Sequence, residues 1–188
     1  MANTETTINA VINPENNETP IDIEKTIKAL ERNKFVVHYF ETGTEAVTYL
    51  KNRIQNKCVA IGDSRTLLEI GVHDALSEVN EDITDIQRPL PSESFRDTAL
   101  RTMGRDVFLT SVNALAQTGE MINIDGTGNR IAASLFGSQE VFFVLGINKI
   151  TPDLASAIYR ARNVAAPLNS KKNKKSSLNP CATLEEKC

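Results

Sequence analysis

No stretch of the chain approaches the run of about 18 apolar residues that a membrane span needs. Residues 1–13 are polar and lack both a basic n-region and an apolar h-region, so no secretory leader is predicted and the expected location is the cytoplasm. Cysteine is scarce: Cys58, Cys181 and Cys188 are odd in number and lie far apart or near the end, which excludes a secreted disulfide scaffold. The two histidines, His38 and His73, have no metal-like spacing and are expected to be surface or internally satisfied groups, so no metal site is predicted. A basic excess is also missing. The net charge of −3 argues against a nucleic-acid partner, which normally shows as a basic balance or face. There is no Walker A loop, no complete GxGxxG, no flavin or nicotinamide fingerprint and no internal repeat.

What is present suffices for one domain with tails. A length of 188 residues leaves no room for a second full domain. Residues 1–18 carry Asn, Thr and Glu with scattered apolar side chains and predict a flexible arm. Order is expected from Thr19-Pro20-Ile21-Asp22, with Thr19 as cap and Pro20 in the first helical position, and a helix stop at Asn33. A strand is predicted over 34–40, and a helix over 43–54 from the stripe Ala46, Val47, Leu50 and Ile54. Short continuous apolar runs at 58–61, 106–110 and 141–145 suit strands buried on both faces of a parallel sheet, with a further short strand at 121–124. Thr151-Pro152-Asp153 is expected to cap a last helix running toward Arg162. The alternation predicts an α/β domain with a mainly parallel sheet flanked by helices over 19–169. Residues 170–188 hold five lysines against two glutamates and predict a basic, flexible tail, with Cys58 a small apolar residue of a core strand.

Chemistry is expected where strands end. Gly62-Asp63-Ser64 leaves a predicted strand and enters a helix, where backbone N–H groups and the Ser64 hydroxyl can meet an anion; a plain helix cap explains the same residues. The densest polar cluster is Asn123-Ile124-Asp125-Gly126-Thr127-Gly128-Asn129-Arg130. It reads either as a tight turn between strands or as a loop whose backbone, with Asn129 and Arg130, takes a carboxylate or phosphate. Ser111 and Asn113 follow one strand, and Asn148 and Lys149 follow another. Asp125 and Glu120 are the candidate bases. Gly62, Ser64, Ser111, Asn113, Gly126, Gly128, Asn129, Arg130, Asn148 and Lys149 are the candidate ligand-binding set, if these strand ends converge on one cleft.

Taken together, five segments resemble the LUD (lactate utilisation domain) family over roughly residues 20–169. They are 106–114 (DVFLTSVNA), Gly119-Glu120, 123–133 (NIDGTGNRIAA), 142–149 and 162–169 (RNVAAPLN). The resemblance implies a Rossmann-like sheet similar to the sugar-phosphate isomerase and CoA-transferase superfamily. It also implies an accessory or catalytic role in oxidising L-lactate to pyruvate, alongside an iron–sulfur partner subunit. Activity of the isolated chain is not expected. The competing reading is a non-catalytic module that binds a sugar phosphate, nucleotide or CoA-like anion. Small family members tend to end in a Pro-Cys segment followed by closely spaced cysteines. Here Asn179-Pro180-Cys181 matches the start and only Cys188 follows, so an iron–sulfur cluster is expected only with a partner.

Overall fold

The computed structural model describes residues 4–9 and 20–172. In chain order the elements begin with strand β1 (Thr4–Asn9), helix α1 (Ile23–Arg32), β2 (Val36–Phe40), α2 (Gly43–Arg53), β3 (Cys58–Ile61), α3 (Arg65–Glu69), α4 (Val72–Ser77) and β4 (Asp82–Asp85). Then come α5 (Phe95–Arg101), β5 (Val107–Thr110), β6 (Ala114–Ala116), β7 (Met121–Ile122), α6 (Asn129–Leu135) and β8 (Glu140–Gly146). After a 3₁₀ turn at Ile147–Lys149 follow β9 (Ile150–Thr151), α7 (Leu154–Arg160), a π turn at Ala161–Ala165 and α8 (Ala166–Lys172). The sequence predicts one domain over 19–169, whereas the chain packs as two compact units, each assembled from separated segments.

Among the described residues the first unit comprises 4–9, 34–111 and 125–148 and holds a parallel sheet of order β2-β1-β8-β5-β3-β4. Its strands are short apolar runs because helices bury them: Leu50 and Ile54 of α2 and its C-cap, Leu67 of α3, and Val72 and Leu76 of α4 pack on Val59, Ile61, Val107, Leu109, Phe142 and Val144. The alternate residues Ala60, Phe108 and Phe143 point to the other face and are buried too. Burying each Leu, Ile, Val or Phe contributes about 1.5–3 kcal/mol, so this cluster dominates the unit's stability. Entry to α2 is set by a capping box, in which the Thr42 hydroxyl accepts from the Glu45 amide and the Glu45 carboxylate accepts from the Thr42 amide.

The predicted arm over 1–18 is corrected at 4–9, which form β1 between β2 and β8. Low apolar content does not preclude a strand whose backbone is paired along both edges, and Thr and Ile are favourable strand residues. Residues 10–19, including the predicted cap Thr19, lie outside the described residues.

Among the described residues the second unit comprises 20–33, 112–124 and 149–172 and holds a small sheet of order β7-β6-β9, antiparallel at β6–β7 and parallel at β6–β9. Ala114 and Ala116 of β6 meet Ala157 and Ala161 across a seam of small side chains that lets α7 approach the strand closely. The cap of α1 is Asp22, which accepts from the Lys25 amide at 2.9 Å, so Pro20 precedes the helix; Asn33 is the stop, as predicted. Gly119 (φ 101°) turns β6 into β7 against α1, where an added Cβ would lie 2.9 Å from Asn33 Nδ2. Of the predicted capping segment Thr151-Pro152-Asp153, Asp153 is the residue that caps α7, accepting from the Ser156 amide at 2.7 Å. The helix does not end near Arg162: it passes through the π turn into α8, placing the wider turn just before Pro167, which has no N–H to donate. The predicted flexible tail over 170–188 is thus corrected at 170–172, which are helical, and 173–188 lie outside the described residues.

Candidate functional site at the carboxyl edge of the main sheet

From β3 the chain moves outward to β4, then crosses back to place β5 on the other side of β3. In open α/β sheets the crevice beyond the carboxyl ends of strands at such a reversal is the usual ligand position. Two loops of the predicted site lie there. At the end of β3, the Gly62 amide donates to Leu109 O at 2.9 Å, and a Cβ on Gly62 would stand 3.0 Å from Phe108 Cζ and 3.3 Å from Thr110 Oγ1. Only glycine lets β3 leave the sheet so close to β5. Asp63 is exposed. Ser64 is buried and caps α3, accepting from the Leu67 amide at 3.3 Å, while its carbonyl accepts from Gln87 Nε2 at 3.2 Å.

At the end of β5, the carbonyl of buried Ser111 accepts from Arg130 Nη1 at 2.7 Å. Residues 125–130 are not a turn between strands, as one reading had it, but the entry to α6. Gly128 is its N-cap in the left-handed region (φ 82°), which glycine adopts without penalty. Asp125 Oδ2 accepts the amides of Arg130 at 2.9 Å and Ile131 at 3.0 Å, and Thr127 Oγ1 donates to Asn129 Oδ1. Gly126 is exposed on the same loop. Burial pulls the Arg130 guanidinium below its ordinary range, and the negative charges of Asp125 and Asp63 oppose that shift. A poorly hydrated cation at a strand reversal is suited to an anion, because its field is less screened than at an open surface.

The structure therefore brings Gly62, Ser64, Ser111, Asp125, Gly126, Gly128, Asn129 and Arg130 into one unit, where exposed Asn148 also lies. Asn113, Glu120 and Lys149 belong to the other. Asn113 braces its own loop, its Oδ1 accepting from the Ile124 amide at 2.8 Å and its carbonyl accepting from Arg160 Nη1. Exposed Glu120 accepts from the Thr118 hydroxyl. Arg160, whose guanidinium burial also pulls below its ordinary range, escaped the sequence reading because an Arg on an amphipathic helix usually faces solvent. Asp85 and Gln87 escaped it as well, since β4 begins and ends in Asp and shows no apolar run.

Both histidines have partners: His38 Nε2 lies 2.8 Å from the Tyr49 hydroxyl and His73 Nδ1 lies 2.8 Å from Asp85 Oδ2. Cys58, predicted as a small apolar core residue, is half-buried at the start of β3. A hydrogen bond to Asp82, then burial and the charges of Asp82 and Asp106, push its thiol up, against a weaker opposing bond to Arg105. That surrounding disfavours a thiolate, and Cys58 is the one cysteine among the described residues, so these do not fit an iron–sulfur cluster. Among them there is also no group of three or more metal-ligating side chains, and no helix is long and apolar enough to cross a membrane. Cys181 and Cys188 lie outside the described residues.

Neither the curated proteins nor the solved structures give a match to this chain. The model of one family does match, over residues 23–184, a span that takes in all five segments singled out in the sequence. With a parallel α/β sheet in place and the family model matching residues 23–184, the chain belongs to the LUD domain family, which supports a role related to lactate utilisation.

Proposed function

We propose that this protein is an accessory or catalytic component of L-lactate oxidation to pyruvate, acting in the cytoplasm with an iron–sulfur partner subunit. It binds a small anionic ligand, a carboxylate or a phosphorylated compound, beyond the carboxyl ends of β3 and β5. The family supports the pathway. The observation that carries the site is the desolvated guanidinium of Arg130, held against Ser111 O between the loops that end the two strands. Thermal-shift and calorimetric measurements with L-lactate, pyruvate, phosphorylated sugars, nucleotides and CoA test it. One of these anions raises the melting temperature, and Arg130→Ala weakens its binding by about 1.5–3 kcal/mol with folding retained. Absence of any stabilising anion, or unchanged affinity in the variant, removes the site.

A second reading, a binding or regulatory module for a sugar phosphate, nucleotide or CoA-like anion, is favoured by one observation. Asp125, the candidate base nearest Arg130 in sequence, is engaged by two backbone amides. Turnover of L-lactate with an artificial electron acceptor separates the two. The first reading expects none from the isolated chain and turnover when an iron–sulfur partner is added; the second expects none in either case.

A further inference from the structure

We propose that Asp63 determines which anion binds at Arg130, by accepting a hydrogen bond from a donor on the carbon next to the ligand's carboxylate. The site then takes a monocarboxylate with a 2-hydroxyl or 2-ammonium group and turns away anions that carry acceptors alone. The inference rests on the anion site proposed above and adds the residue that chooses among anions.

The main sheet brings the two residues together. β3 and β5 are parallel neighbours, and Ile61 and Leu109 are their last registered pair. The Gly62 amide extends that ladder by donating to Leu109 O at 2.9 Å, so the two chains leave the sheet side by side, about 4.8 Å apart. Asp63 and Ser111 each stand two residues beyond that pair, and the Ser111 carbonyl is the atom that accepts from Arg130 Nη1 at 2.7 Å. Asp63 is exposed, and among the described residues no hydrogen bond or ion pair engages its carboxylate. It reaches Arg130 through its field: burial pulls the guanidinium down, and the charges of Asp125 and then Asp63 oppose that pull.

The neighbouring acids are committed to the protein. Asp125 Oδ2 accepts the amides of Arg130 and Ile131, and its Oδ1 accepts the Thr127 amide at 3.5 Å. Asp85, at the end of β4, is divided between the Gln87 amide and the His73 ring. Of these three carboxylates Asp63 is the one with both oxygens open to a ligand. An ionised carboxylate only accepts. A ligand ketone or a phosphate oxygen therefore meets it with lone pairs against lone pairs, whereas a hydroxyl or ammonium converts the repulsion into a charge-assisted hydrogen bond.

Calorimetric titration of the full chain with L-lactate, L-alanine, propionate and pyruvate, in the parent and in Asp63→Ala, tests the inference. Propionate lacks the donor and pyruvate replaces it with a carbonyl. The parent binds L-lactate or L-alanine at least about tenfold more tightly than propionate or pyruvate, as expected of a hydrogen bond to a charged group. The tighter of the first two identifies the donor as hydroxyl or ammonium. In Asp63→Ala the preference disappears because affinities move in opposite directions: the donor-bearing ligand weakens, while propionate gains from loss of a repelling charge. A parent that binds propionate as well as it binds L-lactate and L-alanine overturns the inference, and needs no variant to show it. So does a variant in which every ligand weakens alike, the mark of a structural role, or every ligand gains alike, the mark of charge without contact. Arg130→Ala separates the two proposals. Binding that is lost there but keeps its ligand preference in Asp63→Ala removes the role of Asp63 alone; absence of binding by any of these ligands in the parent removes both.

Discussion

The carboxylate of Asp125 is bonded to the backbone of Arg130, its Oδ2 2.9 Å from that residue's amide nitrogen, while the Arg130 side chain turns away to donate to Ser111 O at 2.7 Å. One residue thus fixes where the next functional group starts. The amides of Arg130 and Ile131, two of those the loop seemed to offer an external anion, are already used to close the first turn of α6.

Asp125→Ala removes that closure. Loss of a capping carboxylate costs about 0.5–2 kcal/mol, so urea denaturation should show the variant destabilised by about that amount. Asp125→Asn, which keeps an acceptor oxygen, should lose less. Equal stability of the Ala variant and the parent would show that the helix does not need this cap.

Gly62→Ala places a methyl 3.0 Å from Phe108 Cζ and 3.4 Å from the Leu109 carbonyl. The ring can yield a little, but the strand backbone cannot without breaking the pairing of β3 with β5. Overpacking of this kind costs about 1–3 kcal/mol. A lowered denaturation midpoint at unchanged m-value is the expected reading; an unchanged midpoint shows that the two strand exits can part freely.

Acid should weaken the first unit in part through Glu93. Hydrogen bonds from Arg101 hold its carboxyl below the usual range, burial opposing them, with Arg101 Nε 2.6 Å and Nη2 3.0 Å from its two oxygens. A carboxylate depressed by folding contributes stability above its unfolded pKa, about 4.3 for Glu, and loses it as pH falls through the lower folded value. Stability measured from pH 7 downward should therefore drop below about pH 4. In Glu93→Gln the drop should be shallower, and the same slope in both proteins would exclude this pair as a source.

The contribution of the last turn of α8 can be found by truncation. Ser170 is buried in α8, and the lysine-rich sequence that follows has no apolar periodicity. A chain ending at Lys172 should melt like the full protein, whereas one ending at Asn169 loses the last turn of α8 and should melt lower. Identical melting of both shortened chains would show that this turn contributes nothing.

The class of the fold was legible in the sequence because parallel strands buried on both faces must be continuous apolar runs. The runs at 58–61, 106–110 and 141–145 became β3, β5 and β8. Helix ends carried by local chemistry were legible too, in Asn33 and Asp153. Less visible were elements whose stability comes from partners distant in sequence: β1, built of Thr, Glu and Asn with one Ile, β4, flanked by aspartates, and α6, hidden behind a glycine turn. A strand needs neighbours more than it needs an apolar side chain.

The sequence by itself determined the alternation of strands and helices, the family, and the residue types that gather at the strand ends. Those follow from local pattern and composition. Tertiary structure alone decided that Asp125 spends its carboxylate on the amides of Arg130 and Ile131, that Glu120 and Asn113 fall in a different unit from Arg130, and that Asp85 stands behind His73. A hydrogen bond forms over about 3 Å between atoms whose separation along the chain is arbitrary. Which acid serves as cap, brace or orienting partner is therefore fixed only when the sheet order places the strand ends side by side.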